Sequence, residues 1–89
     1  MTTIDALIIH NHCHPAELIQ TLATLNGQAS YAAAARKAHL TRIGVRDRVN
    51  RLKQRVGEPV IVKTGGVWQC TAVGQQLVDE LYHRPELWE

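Results

Sequence analysis

The sequence has no apolar run approaching the roughly 18 residues that a membrane-spanning helix requires. Its start, MTTIDALIIHNH, lacks the basic residues that open a secretory signal. A soluble protein without a targeting segment is expected. Cysteine is scarce: Cys13 and Cys70 are too few for a disulfide framework and match no paired zinc-ligand spacing. Both are expected to be reduced thiols in the cytoplasm, and neither has the spacing to a histidine and an acid that nucleophilic catalysis uses. Length is limited too. At 89 residues there is no room for a large enzyme, and a domain of this size buries only about 60 to 65% of its unfolded surface. The core must be compact or be completed by a partner, so a homodimer is expected. Internal repeats and low-complexity stretches are also missing.

What is present, 45% apolar and 20% charged residues, fits one globular domain and neither a disordered nor a fibrous chain. The net charge of +2 conceals an uneven distribution. Between Arg36 and Lys63 stand nine of the ten basic residues against only Asp47 and Glu58, a net of +7. The rest of the chain sets Arg84 against six acids and carries −5. Such a two-sided molecule suits a polyanion, because basic groups that neutralise phosphates release counterions while the opposite face stays soluble.

Periodicity orders the elements. Pro15 fits a first helical position, where its missing N–H costs nothing. Leu18, Ile19, Leu22 and Leu25 follow as one stripe before Asn26-Gly27, so a first helix is expected over 15–26. The alanine-rich segment 31–38 predicts a second helix whose small side chains admit a close neighbour. After His39-Leu40, Thr41 is a suitable N-cap for a third helix carrying Val45, Val49, Leu52 and Val56 on one stripe and ending at Gly57. Pro59 to Lys63 reads as a strand, Thr64-Gly65-Gly66 as a turn and Val67 to Cys70 as the returning strand of a hairpin. Thr71 can cap a last helix bearing Val73, Leu77, Val78, Leu81 and Tyr82, which Pro85 helps to end.

Helix, helix, short turn, helix, hairpin, helix is the winged helix-turn-helix order, a mainly α fold with a small β-hairpin. From Ala29 to Leu77 the chain resembles the DNA-binding domain of LysR-type transcription regulators and of the related molybdate-regulator type. Tyr31 takes the family's aromatic place, Ala34 and Ala35 its alanine pair, and Leu40-Thr41 the turn into the recognition helix. Val45, Val49, Leu52, Val56 and Gly57 match its core and terminating positions. Pro59, Val60, Val62, Lys63 and Thr64 match its first wing strand, and Thr71 and Gly74 its threonine and glycine after the wing. The departures are equally specific. Ala29 replaces a glycine and Ala32 the usual cap, leaving Ser30 to cap helix two; Arg42-Ile43 replaces a glutamine-proline pair, and Arg46-Asp47 a serine-arginine pair. The operator therefore does not transfer. Too few residues follow the last helix for the family's effector-binding domain, so no small-molecule ligand and no cofactor is expected.

The resemblance and the residue types imply sequence-specific binding of double-stranded DNA by a small dimeric transcription regulator, with the 42–56 helix in the major groove. No enzymatic activity is expected. Arg42, Arg46, Asp47, Asn50 and Arg51 are expected to read bases or nearby phosphates. Lys53, Arg55, Lys63 and the Gly65-Gly66 wing tip are expected to hold backbone phosphates, with Arg36 and Lys37 as peripheral candidates. A different class of function fits the same charge, namely a winged-helix interaction module for an acidic protein; a protein co-regulator would also be accommodated. Residues 1–14 read as an N-terminal extension, 15–83 as the core of the single domain and 84–89 as a tail. His10, His12, Cys13 and His14 are metal-ligating types, but three adjacent residues cannot converge on one ion without irregular backbone, so a polar loop and no metal site is the reading. Trp68 reads as a hairpin packing residue in preference to a base-stacking platform. Ile4, Leu7, Ile8, Ile9, Leu87 and Trp88 exceed what the core needs and either cover it or, with Leu81, form a seam between two copies, the seam being the expectation.

Overall fold

A computed structural model describes residues 15–84 of the chain. The polar cluster at 10–14, and all of the expected seam except Leu81, lie outside these residues. Within them run helices α1 (Pro15–Leu25), α2 (Tyr31–Ala38) and α3 (Arg42–Val56), strands β1 (Ile61–Thr64) and β2 (Val67–Cys70), and helix α4 (Ala72–Tyr82). This is the winged helix-turn-helix that the order of elements predicts.

Three of the four helices begin at a hydroxyl cap that absorbs an orphan backbone donor. Ser30 accepts from the Ala33 amide at 3.1 Å, Thr41 from Gly44 at 3.0 Å and Thr71 from Gly74 at 3.3 Å. At the far ends, Gly57 closes α3 with φ 88°, while His39 closes α2 with φ 57°. The latter is the only non-glycine residue with positive φ among those described.

α1 is the hub and packs on α2, α3, α4 and β2. Its Ile19, Leu22 and Leu25 are fully buried with Val45 and Leu52 of α3, Val60, and Leu77 of α4. Ala34 and Ala35 complete the core where α2 meets its neighbours, their small side chains permitting close approach. Thr21 is the one buried polar residue among those described, and its hydroxyl donates to the Glu17 carbonyl at 2.8 Å. α4 buries Gly74, Leu77, Val78 and Leu81. Leu81, expected between copies, thus belongs to the core at 3% exposure, and Tyr82, expected on the buried stripe, is 63% exposed. The helix phase explains the first, since Leu81 stands one turn after Leu77; Tyr82 stands one turn after buried Val78 but is the last residue of the helix.

The wing pairs antiparallel, Ile61 with Cys70 through Thr64 with Val67, across a two-residue turn. Gly65 and Gly66 have φ of 60° and 86°, the doubly positive geometry that makes glycine favoured in such turns. The strand begins at Ile61 rather than Pro59 and includes Thr64. The carbonyls of 59 and 60 are taken by the start of α4, since the Thr71 hydroxyl donates to Pro59 O at 2.8 Å and the Thr71 amide to Val60 O at 3.0 Å. Gly74 lies against the same strand entry: a Cβ there would stand 1.9 Å from Val60 O. The outer edge of β2 is also occupied. Gly27 donates to Trp68 O at 2.6 Å, Trp68 donates to Gln28 O at 2.8 Å, and Asn26 Oδ1 accepts from the Cys70 amide at 3.0 Å. The α1–α2 connection thereby straps the wing to the helices.

Candidate nucleic-acid interface

The apolar stripe of α3 fixes which side chains face outward. Opposite Val45, Val49 and Leu52, the residues Ile43, Asp47, Asn50 and Gln54 follow at spacings of four, three and four, and all are exposed. At about 100° per residue, Arg42, Arg46 and Lys53 border this face on one side, and Arg51, Arg48 and Arg55 on the other. A shallow groove runs between the first border and the wing, lined by Asn50 and Lys53 of α3, Pro59 and Ile61, and the rings of Tyr31 and Trp68. Helix and wing therefore present one continuous surface.

Charge on that surface is largely uncompensated. Arg42 and Arg46 begin a helix with no acid in its first turn, where the macrodipole opposes them by a few tenths of a kcal/mol each. Neither they nor Lys53 make an ion pair among the described residues. Asp47 does, through Oδ2 to Arg51 Nε at 3.1 Å, with both side chains more than half exposed. Such a pair fixes the direction of the guanidinium more than it stabilises the helix, to which it contributes about 0.3 to 0.5 kcal/mol.

The remaining candidates divide. Lys63 is exposed on β1 opposite Trp68, its amine 5.9 Å from the centre of that ring, and Gly65 and Gly66 are exposed at the wing tip. Arg55 is half-buried, and its Nη1 is enclosed without a hydrogen-bond partner, so only part of the guanidinium reaches outward. Arg36 and Lys37 are exposed in the last turn of α2, where cations favour the helix dipole without any ligand. Lys37 lines a cleft between α1 and α4 with Gln20, Thr24 and Tyr82, to which α3 contributes nothing. It is not gathered with the others. Trp68 is half-buried, packs on the core and meets Tyr31 at 5.0 Å between ring centres; this is the packing role expected of it.

Ile43 and Gln54 are the residues that reading by residue type passes over. Their exposure was encoded in the phase of the valine stripe, since each stands half a turn from it. Elsewhere chemistry is sparse. Burial first, and the Asp79 carboxylate second, push the Cys70 thiol up from its ordinary pKa, which keeps it a protonated, weak nucleophile. Among the described residues no three histidine, cysteine or acidic side chains gather as metal ligands, and no helix is long and apolar enough to cross a membrane.

Residues 16–75 match the family model described as bacterial regulatory helix-turn-helix protein, lysR family. Solved structures agree on the fold. The crystal structure of a CbnR_DBD-DNA complex is similar with a TM-score of 0.68 and 17% identity over 81% of this chain and 83% of that one. VV2_1132, a LysR family transcriptional regulator, gives 0.66 and 20%, covering 81% of this chain but only 26% of its own. A transcriptional regulator of the LysR family from Eggerthella lenta DSM 2243 gives 0.61 and 26%, over 76% and 93% of the two chains. Comparison with curated proteins found no significant match.

Proposed function

Because the chain belongs to the lysR family of bacterial regulatory helix-turn-helix proteins, we propose that it binds double-stranded DNA sequence-specifically and regulates transcription with α3 in the major groove. The observation that carries this reading is the outward face of α3, where Asp47 and Asn50 stand between borders of arginine and lysine, opposite a stripe buried in the core. These are side chains that hydrogen-bond base edges at the centre and phosphates at the margins. Arg42 and Arg46 read bases or nearby phosphates at the helix start; Lys53, Arg55, Lys63 and the backbone of Gly65 and Gly66 hold phosphates, and Arg36 lies at the periphery.

Two recognition helices on a two-fold axis would lie about 34 Å apart, one turn of duplex, or a multiple of it. The protein is proposed to act as such a homodimer, which sedimentation at high micromolar concentration tests directly. Enrichment of random duplexes on the purified protein tests the whole reading. It is expected to yield one motif with two-fold symmetry, bound with an affinity that falls steeply and linearly on a log–log salt plot. Failure to enrich any motif, with weak salt dependence, would turn attention to an acidic protein partner instead.

A further inference from the structure

Ile43 is 75% exposed, more than any other large apolar side chain among the described residues. Isolated apolar residues are common on surfaces and need no special explanation. The surroundings of this one differ. The other residues on the outward side of α3 and its near border, Arg42, Arg46, Asp47, Asn50, Lys53 and Gln54, are all polar and exposed. Ile43 is not packed against the core, and its β-branch lowers helix propensity, so it gives the fold nothing. Its backbone is nevertheless firmly placed, because Thr41 caps this turn through the Gly44 amide at 3.0 Å.

One turn further on the same face stands Asp47, held by Arg51 through Oδ2 at 3.1 Å. A carboxylate has about four acceptor positions, so Asp47 keeps capacity to accept from a base while paired. The polar residues around it can read donors and acceptors, but none of them discriminates a methyl group. An apolar side chain does, because the C5-methyl group of a pyrimidine projects into the major groove beside those edges.

We propose that Ile43 recognises a pyrimidine C5-methyl group in the major groove and is thereby a determinant of sequence specificity. The inference rests on the placement of α3 in that groove. Two bases carry the group, thymine and 5-methylcytosine, and both would meet the isoleucine in the same way. Covering one methyl corresponds to about fourfold in affinity.

The test uses the full chain and the duplex enriched from random sequence. Each thymine is replaced in turn by uracil, which removes only the methyl, and each cytosine by 5-methylcytosine, which adds only the methyl. Affinities are measured for the natural protein, Ile43→Ala and Arg46→Ala, with helicity checked by circular dichroism. At one position, or one symmetric pair, uracil is expected to weaken the natural protein about fourfold and leave Ile43→Ala unaffected. A tightening of the same size on cytosine methylation, again absent in Ile43→Ala, supports the proposal equally and identifies 5-methylcytosine as the source. Methyl changes that act alike on both proteins overturn it, as does an Ile43→Ala loss that is equal for every duplex. If Arg46→Ala still weakens binding in those cases, only the role of Ile43 falls. If no duplex is enriched, or Arg46→Ala binds as the natural protein does, the major-groove reading falls and this inference with it.

Discussion

α1 and α3 pack against each other, yet they allot their residues in opposite ways. In α1 the large apolar side chains Leu18, Ile19, Leu22 and Leu25 are all buried, and the helix touches every other helix and β2. In α3, four residues longer, only Val45, Val49 and Leu52 are buried, and Ile43 points away from the core. The shared boundary thus separates a helix that sustains the fold from one whose outer side is dispensable to it. Substitutions in the first should unfold the protein; those on the outside of the second should alter binding while the fold persists.

The largest effect expected is at the base of the wing and in α1. Gly74→Ala would drive a methyl into the Val60 carbonyl, and Leu22→Ala would open a cavity in a fully buried site; losses of about 2 to 5 kcal/mol are expected for the leucine. Urea denaturation measures both, and a shift below about 1 kcal/mol for Leu22→Ala would erase the contrast with α3. Next comes Arg46→Ala, expected to weaken specific DNA binding by about 1 to 3 kcal/mol and to relax the preference at one base pair. Its thermal midpoint should stay or rise slightly, since a cation leaves the wrong end of the dipole. A uniform loss across all sequences would reassign Arg46 to a phosphate.

Asp47→Ala is expected to act in two directions. Removing a negative charge raises affinity for random DNA, while losing the acceptor and the aim of Arg51 narrows the gap between specific and random sites. Titrating both duplexes at one salt concentration decides the point, and an equal rise for both would make Asp47 a surface charge without a reading role. Lys63→Ala should reduce the salt slope by about one for every sequence alike; an unchanged slope would remove the wing from the contact. The smallest effect belongs to His39→Gly. Relieving a left-handed non-glycine residue at φ 57° should stabilise the fold by about 0.5 to 1 kcal/mol, read from the denaturation midpoint. A loss of stability there would show that the imidazole makes a compensating contact.

Much of this was legible in the sequence because it is local. The caps at Thr41 and Thr71, the stop at Gly57 and the valine stripe act within a few residues of where they are written, and the fold they announce is the one found. What the sequence left dark is decided at a distance. Where the strand begins, Thr71 bonds the carbonyls of Val60 and Pro59, residues eleven and twelve positions before it. Lys37 and Arg55 carry the right charge, but tertiary packing turns Lys37 to a separate cleft beside α1 and α4 and leaves Arg55 partly enclosed. Ile43 escaped notice for another reason. Searching by residue chemistry favours charged groups, whereas the helix phase alone places an isoleucine in their midst.

The strap from Asn26 to Gln28 has a consequence for how the wing meets a duplex. A hairpin joined to its domain at one edge alone would sample many orientations and forfeit that freedom on binding. Here both edges of β2 are engaged, by β1 and by the strap, and the Gly65-Gly66 tip is the segment left outside these bonds. On the proposed DNA-binding reading the wing would arrive preorganised, with its conformational entropy lost on folding and not again at the duplex. Any adaptation to groove width then falls to the duplex, and the sequences that deform at least cost are favoured even where no side chain touches a base.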